Sequence, residues 1–165
     1  MKVTSASANK IIKALEDEKM YLKNIEEQSC TYIVSDSELD EKPDYDYIET
    51  QRQIEEIDNK VLKIKHAINV FNTRTKLPGL DITIDMALVK MAQLNQMKTK
   101  LDGLRKKLPK QRVPSFGKDS VDYLYINYDL AAVKEDYKKV SDQIMEIQLA
   151  LDTCNQTIEF EVDID

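Results

Sequence analysis

The chain has 165 residues, of which 42% are hydrophobic and 33% are charged, and its net charge at neutral pH is -6. It contains only 3 glycines and 4 prolines, whereas about 12 glycines would be expected at average usage. Turn-rich sandwiches, barrels and folds with glycine-rich nucleotide loops are therefore disfavoured, and long helices are favoured. The length suits one domain, so a single helical domain over residues 1–165 is predicted.

The four prolines fall between periodic segments of the chain. Proline removes a backbone donor and clashes with the preceding turn, so each one marks a connection. Between the prolines, apolar residues recur at spacings of three, four and seven, as in amphipathic helices. We predict helices over about residues 7–31, 46–72, 84–108 and 128–155, arranged as an antiparallel four-helix bundle or as long helical hairpins.

Two helix starts carry capping signals. Thr83 precedes the third helix and Asn127 the fourth, and side-chain oxygens at such positions accept hydrogen bonds from the free amides of the first turn. Asp85 and Asp129 follow two residues later, where a carboxylate suits the positive end of the helix dipole.

Two segments alternate in polarity and predict β-structure. A small hairpin is expected over about residues 73–83, with Pro78-Gly79 as a type II turn. The tail over about residues 157–164 is predicted to form a strand that pairs with this hairpin or with that of a neighbouring subunit. Extended pieces at residues 31–34 and 121–126 are expected to meet at the opposite end of the bundle. The apolar face of the tail strand comprises Ile158, Phe160, Val162 and Ile164.

The segment around Pro78 carries a motif: Ile-Asn-x-x-Asn-x-x-Thr-basic-Leu, a turn, and then Thr-x-Asp-x-Ala-Leu opening a helix. The matching residues are Ile68, Asn69, Asn72, Thr75, Lys76, Leu77, Thr83, Asp85, Ala87 and Leu88. Over about residues 8–165 the chain resembles a bacterial family of small helical proteins without an assigned function, sometimes labelled septicolysin-like. Pro78-Gly79 stands where that family usually has an Asp-Gly type of turn. The resemblance implies a helical fold and no particular activity.

Within the motif lies a polar cluster that is our first candidate site. Its members are Asn69, Asn72, Thr75, Thr83 and Asp85. Side-chain amides beside a hairpin could hold a ligand. However, Asn and Thr also satisfy free backbone groups at helix ends, and we favour this structural role because it needs no ligand.

A second candidate site combines basic and aromatic side chains. Its members are Arg105, Lys106, Lys107, Lys110, Arg112, Tyr123 and Tyr125. Cations interleaved with aromatic rings are typical of single-stranded nucleic-acid sites, but the net charge of -6 argues against such a partner. The acidic run over residues 35–46 is predicted to be a solvated connection that neutralises the basic run, rather than a Ca²⁺ loop.

Catalytic and cofactor motifs are scarce. His66 is the only histidine, and the two cysteines have no metal-ligand spacing; we predict that both thiols are reduced. Glu55 and Asp58 have the one-turn spacing that helical Mg²⁺-dependent nucleotide hydrolases use, although solvated helix charges meet this spacing easily. We predict no metal, no cofactor and no catalytic residue, and leave enzymatic activity open.

The sequence therefore favours a non-catalytic interaction or self-assembly protein that forms homo-oligomers. A nucleic-acid-binding protein that uses the segment Arg105 to Arg112 is the first alternative, and a Mg²⁺-dependent nucleotide hydrolase is the second. No apolar stretch approaches the about 20 residues needed to span a bilayer, so no membrane partner is predicted. No signal peptide is visible, and a cytoplasmic location is expected.

Overall fold

The computed structural model describes residues 1–33, 35, 43–114, 117 and 121–164. Its helices are α1 (Ser5–Ser29), α2 (Tyr47–Arg74), α3 (Ile84–Arg105) and α4 (Leu130–Thr157). Its strands are β1 (Lys2–Thr4), β2 (Lys110–Val113), β3 (Asp122–Tyr125) and β4 (Glu159–Glu161). Helices account for 68% of the described residues, so the predicted mainly helical class with small β-elements is confirmed.

The described residues cluster into two compact units. Unit 1 comprises Met1–Thr75 with Thr153–Asp165, and unit 2 comprises Lys76–Asp152. The division falls directly after α2 and again within the last turns of α4. The single domain over residues 1–165 stays a prediction.

In unit 1, α1 and α2 pack against each other as an antiparallel helical hairpin. Ion pairs join Glu16 to Lys65 and Lys19 to Asp58. From one ion pair to the next, the residue number rises in α1 and falls in α2, which shows that the two helices run antiparallel. On α2 the buried apolar residues are Ile57, Val61, Ile64 and Phe71, at the spacings of three, four and seven that the sequence analysis used to predict helices.

The two ends of the described chain form a small sheet in unit 1. β1 pairs antiparallel with β4, with Lys2 opposite Glu161 and Thr4 opposite Glu159. The sheet covers a buried cluster that comprises Val3, Ala8, Ile64 and Val162. The sheet, which consists of the first and last described strands, packs against the hairpin of α1 and α2.

A tail strand was predicted, but it covers only Glu159–Glu161 instead of residues 157–164, because α4 continues through Thr157 rather than ending at residue 155. Its expected partner was also wrong. β4 pairs with β1 of the same chain, not with the segment around Pro78. β1 was missed because it has only three residues, too few to display a period of two. Thr4 then caps α1 by accepting a hydrogen bond from the Ser7 amide at 3.2 Å, so α1 begins two residues before the predicted start at residue 7.

In unit 2, the turn at Pro78-Gly79 has the predicted type II features. The Leu80 amide donates to the Leu77 carbonyl at 3.1 Å, and Gly79 has a φ of +78°, the value that this turn requires at its third residue. Only one bridge, between Lys76 and Thr83, extends the turn into a hairpin. The hairpin is shorter than predicted because α2 continues through Arg74.

The other predicted helix ends need correction. α3 ends at Arg105 rather than at residue 108, so Leu108 lies outside the helix and is exposed; Pro109 disfavours helical backbone just before it. α4 begins at Leu130, and Asp129, not Asn127, caps it by accepting from the Ala131 amide at 2.8 Å. Thr83 occupies the predicted N-cap position, but its side chain makes no capping hydrogen bond.

The segment between α3 and α4 forms a second sheet. β2 pairs antiparallel with β3, with Lys110 opposite Tyr125 and Arg112 opposite Tyr123. The extended piece at residues 121–126 was therefore predicted, but its partner is β2 instead of residues 31–34. Residues 31–33 form no strand, and Val34 lies outside the described residues.

Candidate functional site

The hairpin of β2 and β3 is held at its base by two hydrogen bonds. The Ile126 amide donates to the Pro109 carbonyl at 3.3 Å, and the Tyr128 hydroxyl donates to the Leu104 carbonyl at 2.7 Å. These bonds connect the residues after β3 to the end of α3 and to the residue before β2. The base of the hairpin is thereby anchored, while all residues of β2 and β3 except the partly buried Val113 are exposed.

One face of the hairpin combines cations with aromatic rings. Directly opposed residues of an antiparallel pair share a face, so Lys110, Arg112, Tyr123 and Tyr125 lie on the same side. The Lys110 ammonium lies 4.1 Å from the Tyr123 ring centroid and 5.5 Å from that of Tyr125. Both tyrosines are about half exposed, at 45% and 60%. We call these four side chains the cation–tyrosine face.

Two other cations of the predicted basic site are already engaged. Asp102 accepts hydrogen bonds from Lys106 and from Arg105, the latter at 2.8 Å, and these bonds lower the pKa of the Asp102 carboxyl. The Arg105 guanidinium also lies 3.8 Å from the Tyr137 ring centroid, a cation–π contact with α4.

The structure thus divides the predicted basic site. Lys110 and Arg112 join Tyr123 and Tyr125 on the hairpin, whereas Arg105 and Lys106 are tied to Asp102. Lys107 is exposed and has no ion pair within the described residues. Of the predicted basic site, Lys107, Lys110 and Arg112 are thus the cations that make no ion pair with a described residue.

Apolar side chains are also exposed on and beside the hairpin. Leu124 in β3 is 57% exposed and Leu108, just before β2, is 63% exposed. Together with Gln111 and Tyr128 they line a cleft of about 260 Å³ at the base of the hairpin. The hairpin therefore offers apolar, aromatic and cationic groups in one small element.

The polar cluster of the sequence motif is divided between the two units. In unit 1, Asn69 and Asn72 make no side-chain hydrogen bond within the described residues, and the Thr75 amide donates to the Phe71 carbonyl at 2.9 Å. In unit 2, the Thr83 hydroxyl donates to the Asp85 carboxylate at the start of α3. Any role for this cluster beyond these contacts stays a prediction.

A second cleft, of about 430 Å³, lies in unit 1 and was missed in the sequence. Its lining includes the rings of Phe71 and Phe160, which stack with centroids 4.6 Å apart. His66, Arg74 and Glu161 lie around them. Side chains of both charge signs, Arg74 and Glu161, line this cleft. Stacking between α2 and β4 had no local sequence signal because the two rings are 89 positions apart.

The residues considered for enzyme chemistry do not form a site. His66 is exposed on α2, and Asp58 is paired with Lys19. Among the described residues no group of three or more His, Cys, Asp or Glu side chains is placed to hold a metal ion. Cys30 is an exposed free cysteine and Cys154 is a buried one, and the expectation that both thiols are reduced stays a prediction.

The acidic run falls mostly on residues 36–42, which lie outside the described residues. Its role as a solvated connection that neutralises the basic run therefore stays a prediction. None of the helices that the structure describes has the length and apolarity needed to cross a membrane.

The sequence signal for β2 was present but short. Pro109 and Pro114 bracket the four residues of the strand, within which the charged Lys110 and Arg112 alternate with Gln111 and Val113. Two prolines around an alternating stretch are typical of a short edge strand. The sequence prediction treats this stretch only as part of a basic run.

Comparison with known proteins places the fold but not the function. No protein-family model matches the chain, and no curated protein is similar to it. A crystal structure of a conserved protein of unknown function from Corynebacterium diphtheriae is similar, with a TM-score of 0.66, 14% identity, 98% of this chain covered and 100% of that chain covered. The chain therefore shares its fold with a conserved protein whose function is unknown.

Proposed function

We propose that the chain is a non-catalytic interaction protein that self-associates through the hairpin of β2 and β3. The observation that supports this most directly is the exposure of this hairpin: within β2 and β3, Val113 alone is even partly buried. An isolated two-stranded sheet is only marginally stable in water. A binding partner that covers the hairpin would stabilise it.

The composition of the hairpin supports a protein partner. Leu124 and Tyr125 of β3, with Leu108 beside the hairpin, expose apolar or aromatic surface. The buried centres of protein interfaces are more apolar than the rest of the surface and are enriched in tyrosine, with polar groups at the rim. The homo-oligomer expected from the sequence would use this surface.

Sedimentation velocity over a series of concentrations tests the proposal. The wild-type chain should sediment faster as its concentration rises, and the double variant Leu108→Ser with Leu124→Ser should remain monomeric. The matched control is Ile48→Ser with Leu62→Ser, which removes two apolar side chains of α2 that are at least as exposed as Leu108 and Leu124, and it should associate like the wild type. A wild-type chain that stays monomeric at high concentration, or equal association of both variants, would contradict the proposal.

Single-stranded nucleic acid is a second candidate partner, favoured by the cation–tyrosine face. Lys110 lies over both tyrosine rings, and the exposed ring surfaces could stack with bases while Lys107 and Arg112 contact phosphates. The net charge of -6 opposes this partner, so the second candidate ranks below self-association.

Fluorescence anisotropy with a labelled single-stranded oligonucleotide at low salt tests this candidate. Lys110→Glu with Arg112→Glu should abolish binding. The control Lys90→Glu with Lys100→Glu makes the same change of charge on α3, where both lysines are exposed, and should weaken binding far less. Absence of binding by the wild-type chain would eliminate this candidate.

The remaining expectations stay predictions from the sequence. They are the hydrolase alternative with Glu55 and Asp58, the cytoplasmic location and the septicolysin-like resemblance. No contact of the described residues favours the hydrolase, since Asp58 is paired with Lys19.

A further inference from the structure

The hydrogen-bonding phase of the hairpin determines which backbone groups face outward. The bond from the Ile126 amide to the Pro109 carbonyl makes Pro109 and Ile126 a hydrogen-bonded pair, and such pairs alternate with non-hydrogen-bonded pairs along an antiparallel ladder. The opposed residues Lys110 and Tyr125 are therefore a non-hydrogen-bonded pair, as are Arg112 and Tyr123. The amides and carbonyls of these four residues face away from the partner strand.

The two outer edges of the hairpin differ in charge. On the β2 edge the outward-facing residues are Lys110 and Arg112, and on the β3 edge they are Tyr123 and Tyr125. Lysine and other charges on an edge strand oppose pairing with another strand. Two β2 edges would bring like charges together, whereas two β3 edges would bring uncharged tyrosines together.

Nothing else in the described chain occupies the β3 edge. The backbone groups of Tyr123 and Tyr125 that face outward make no hydrogen bond within the described residues, and both side chains are exposed. Two of the three residues from Tyr123 to Tyr125 are tyrosines, and aromatic residues are enriched in strands. The open edge is therefore suited to accept another strand.

Resting on the proposed function, we propose that two copies of this chain join β3 edge to β3 edge in antiparallel fashion, centred on Leu124, to form a four-stranded sheet. In this register Tyr123 of one copy forms a hydrogen-bonded pair with Tyr125 of the second copy, so the free backbone groups of both edges are satisfied. Tyr123 and Tyr125 of both copies then lie next to one another on the same face of the four-stranded sheet. Lys110 and Arg112 remain on the outer strands.

The charges on the β3 edge are compatible with this register. Asp122 is the only charged residue of β3, and the two-fold axis places it at one end of the new ladder opposite Ile126 of the second copy. The two Asp122 side chains are then four residue steps apart, about 13 Å along the strands. The two Asp122 carboxylates therefore do not lie directly opposite each other.

The register also pairs Leu124 of one copy with Leu124 of the second copy. Two Leu124 residues would face each other in a non-hydrogen-bonded pair, whose Cα atoms lie about 4.5 Å apart. Cysteines at that separation can form a disulfide. Gln111 shares the face of Leu124 but lies on β2, so the two copies of Gln111 would be three strand spacings, about 14 Å, apart.

Disulfide cross-linking tests this arrangement. Both variants carry Cys30→Ser because the Cys30 thiol is exposed, while the buried Cys154 is kept. Under mild oxidation, at a concentration where sedimentation shows that the tested variant itself associates, Leu124→Cys should become a covalent dimer on non-reducing gels, and Gln111→Cys should migrate as a monomer. Leu124 is exposed, so its substitution leaves the fold intact.

The outcomes separate this inference from the proposed function. A chain that associates in sedimentation but cross-links through neither cysteine, or equally through both, would overturn the edge-to-edge pairing and leave self-association through the hairpin standing. A chain that does not associate would overturn both. Selective cross-linking of Leu124→Cys supports the proposed register.

Discussion

Gly79 is the described residue whose backbone most clearly requires its amino-acid type. Its φ of +78° lies in the left-handed region, where a residue with a Cβ atom costs about 1–2 kcal/mol. Gly103, the other glycine with described surroundings, lies inside α3, and a Cβ atom added to either glycine would meet nothing within 4 Å. The two glycines thus differ in backbone conformation and not in available space.

Opposite effects are therefore expected from the same substitution at these two positions. Gly79→Ala should lower the free energy of unfolding by about 1–2 kcal/mol, and Gly103→Ala should raise it by about 0.5–1 kcal/mol because alanine is the better helix former. Urea denaturation of both variants measures the two values. Equal effects of the two substitutions would contradict the turn assignment.

Glu49 provides a prediction about pH. Hydrogen bonds from Arg52 and from Gln53 lower the pKa of the Glu49 carboxyl to about 2 from its usual 4.5. Because the folded-state pKa is lowered, the stabilisation is present above about pH 4.5 and is lost as the pH falls toward 2. Titration of the carboxyl by NMR should give this low midpoint, and Arg52→Gln should move it upward. An ordinary midpoint in the wild-type chain would contradict the contact.

Capping residues show where prediction from the sequence succeeds and fails at this scale. Thr83 was placed correctly before α3, but its hydroxyl donates to Asp85 instead of accepting from a backbone amide. Asn127 and Asp129 are both good caps, and the structure uses Asp129. Neighbouring polar side chains compete for the same few donors, and only the three-dimensional path of the chain decides between them.

Among the elements of unit 1, the sheet of β1 and β4 packs on a buried apolar cluster. Ile64 on α2 lies in the buried cluster with Val3 and Val162 and is 2% exposed. Removal of a buried isoleucine side chain leaves a cavity and costs about 2–5 kcal/mol. The sheet should therefore lose stability when the Ile64 side chain beneath it is shortened.

Ile64→Ala should lower the free energy of unfolding by about 2–5 kcal/mol. Leu62→Ala is the matched control: it truncates a 66% exposed side chain on the same helix and should change stability by about 0.5 kcal/mol or less. Thermal denaturation followed by circular dichroism compares the two variants. Similar losses for both would contradict the position of the buried cluster.

Helices were predictable from the sequence and strand partners were not, for a physical reason. Each helix repeats its apolar spacing over at least 22 residues, while β1 and β2 have 3 and 4 residues. β4 was predicted because its alternation continues through the whole tail, but its partner lies at the other end of the chain. The candidate site shows the same pattern, since its residues were identified but the pairing of β2 with β3 was not.

For the whole molecule, the net charge of -6 influences any association. Two copies of an acidic chain repel each other, and salt screens this repulsion. Self-association should therefore strengthen as the salt concentration rises. Nucleic-acid binding would instead weaken steeply with salt, because neutralised phosphates release counterions.

Sedimentation velocity at about 0.05 and 0.5 M salt distinguishes the two partners, since the screening length falls from about 14 to about 4 Å over this range. We expect the fraction of associated chain to rise with salt. The matching measurement is oligonucleotide anisotropy over the same range, where any binding should disappear. Association that falls as salt rises would mean that attraction between opposite charges, rather than strand pairing, joins the copies.

The most direct test of the central claim compares proline substitutions on the two edges of the hairpin. Tyr123 and Arg112 oppose each other in a non-hydrogen-bonded pair, so proline at either position removes only an outward-facing amide and is tolerated on an edge strand. Tyr123→Ala controls for the loss of the ring, since it keeps the amide.

Sedimentation equilibrium of these variants gives the decisive comparison. Tyr123→Pro should be monomeric at concentrations where the wild-type chain and Arg112→Pro are dimeric, and Tyr123→Ala should retain more association than Tyr123→Pro. Dimerisation of Tyr123→Pro with wild-type affinity, or equal losses in Tyr123→Pro and Arg112→Pro, would contradict pairing through the β3 edge.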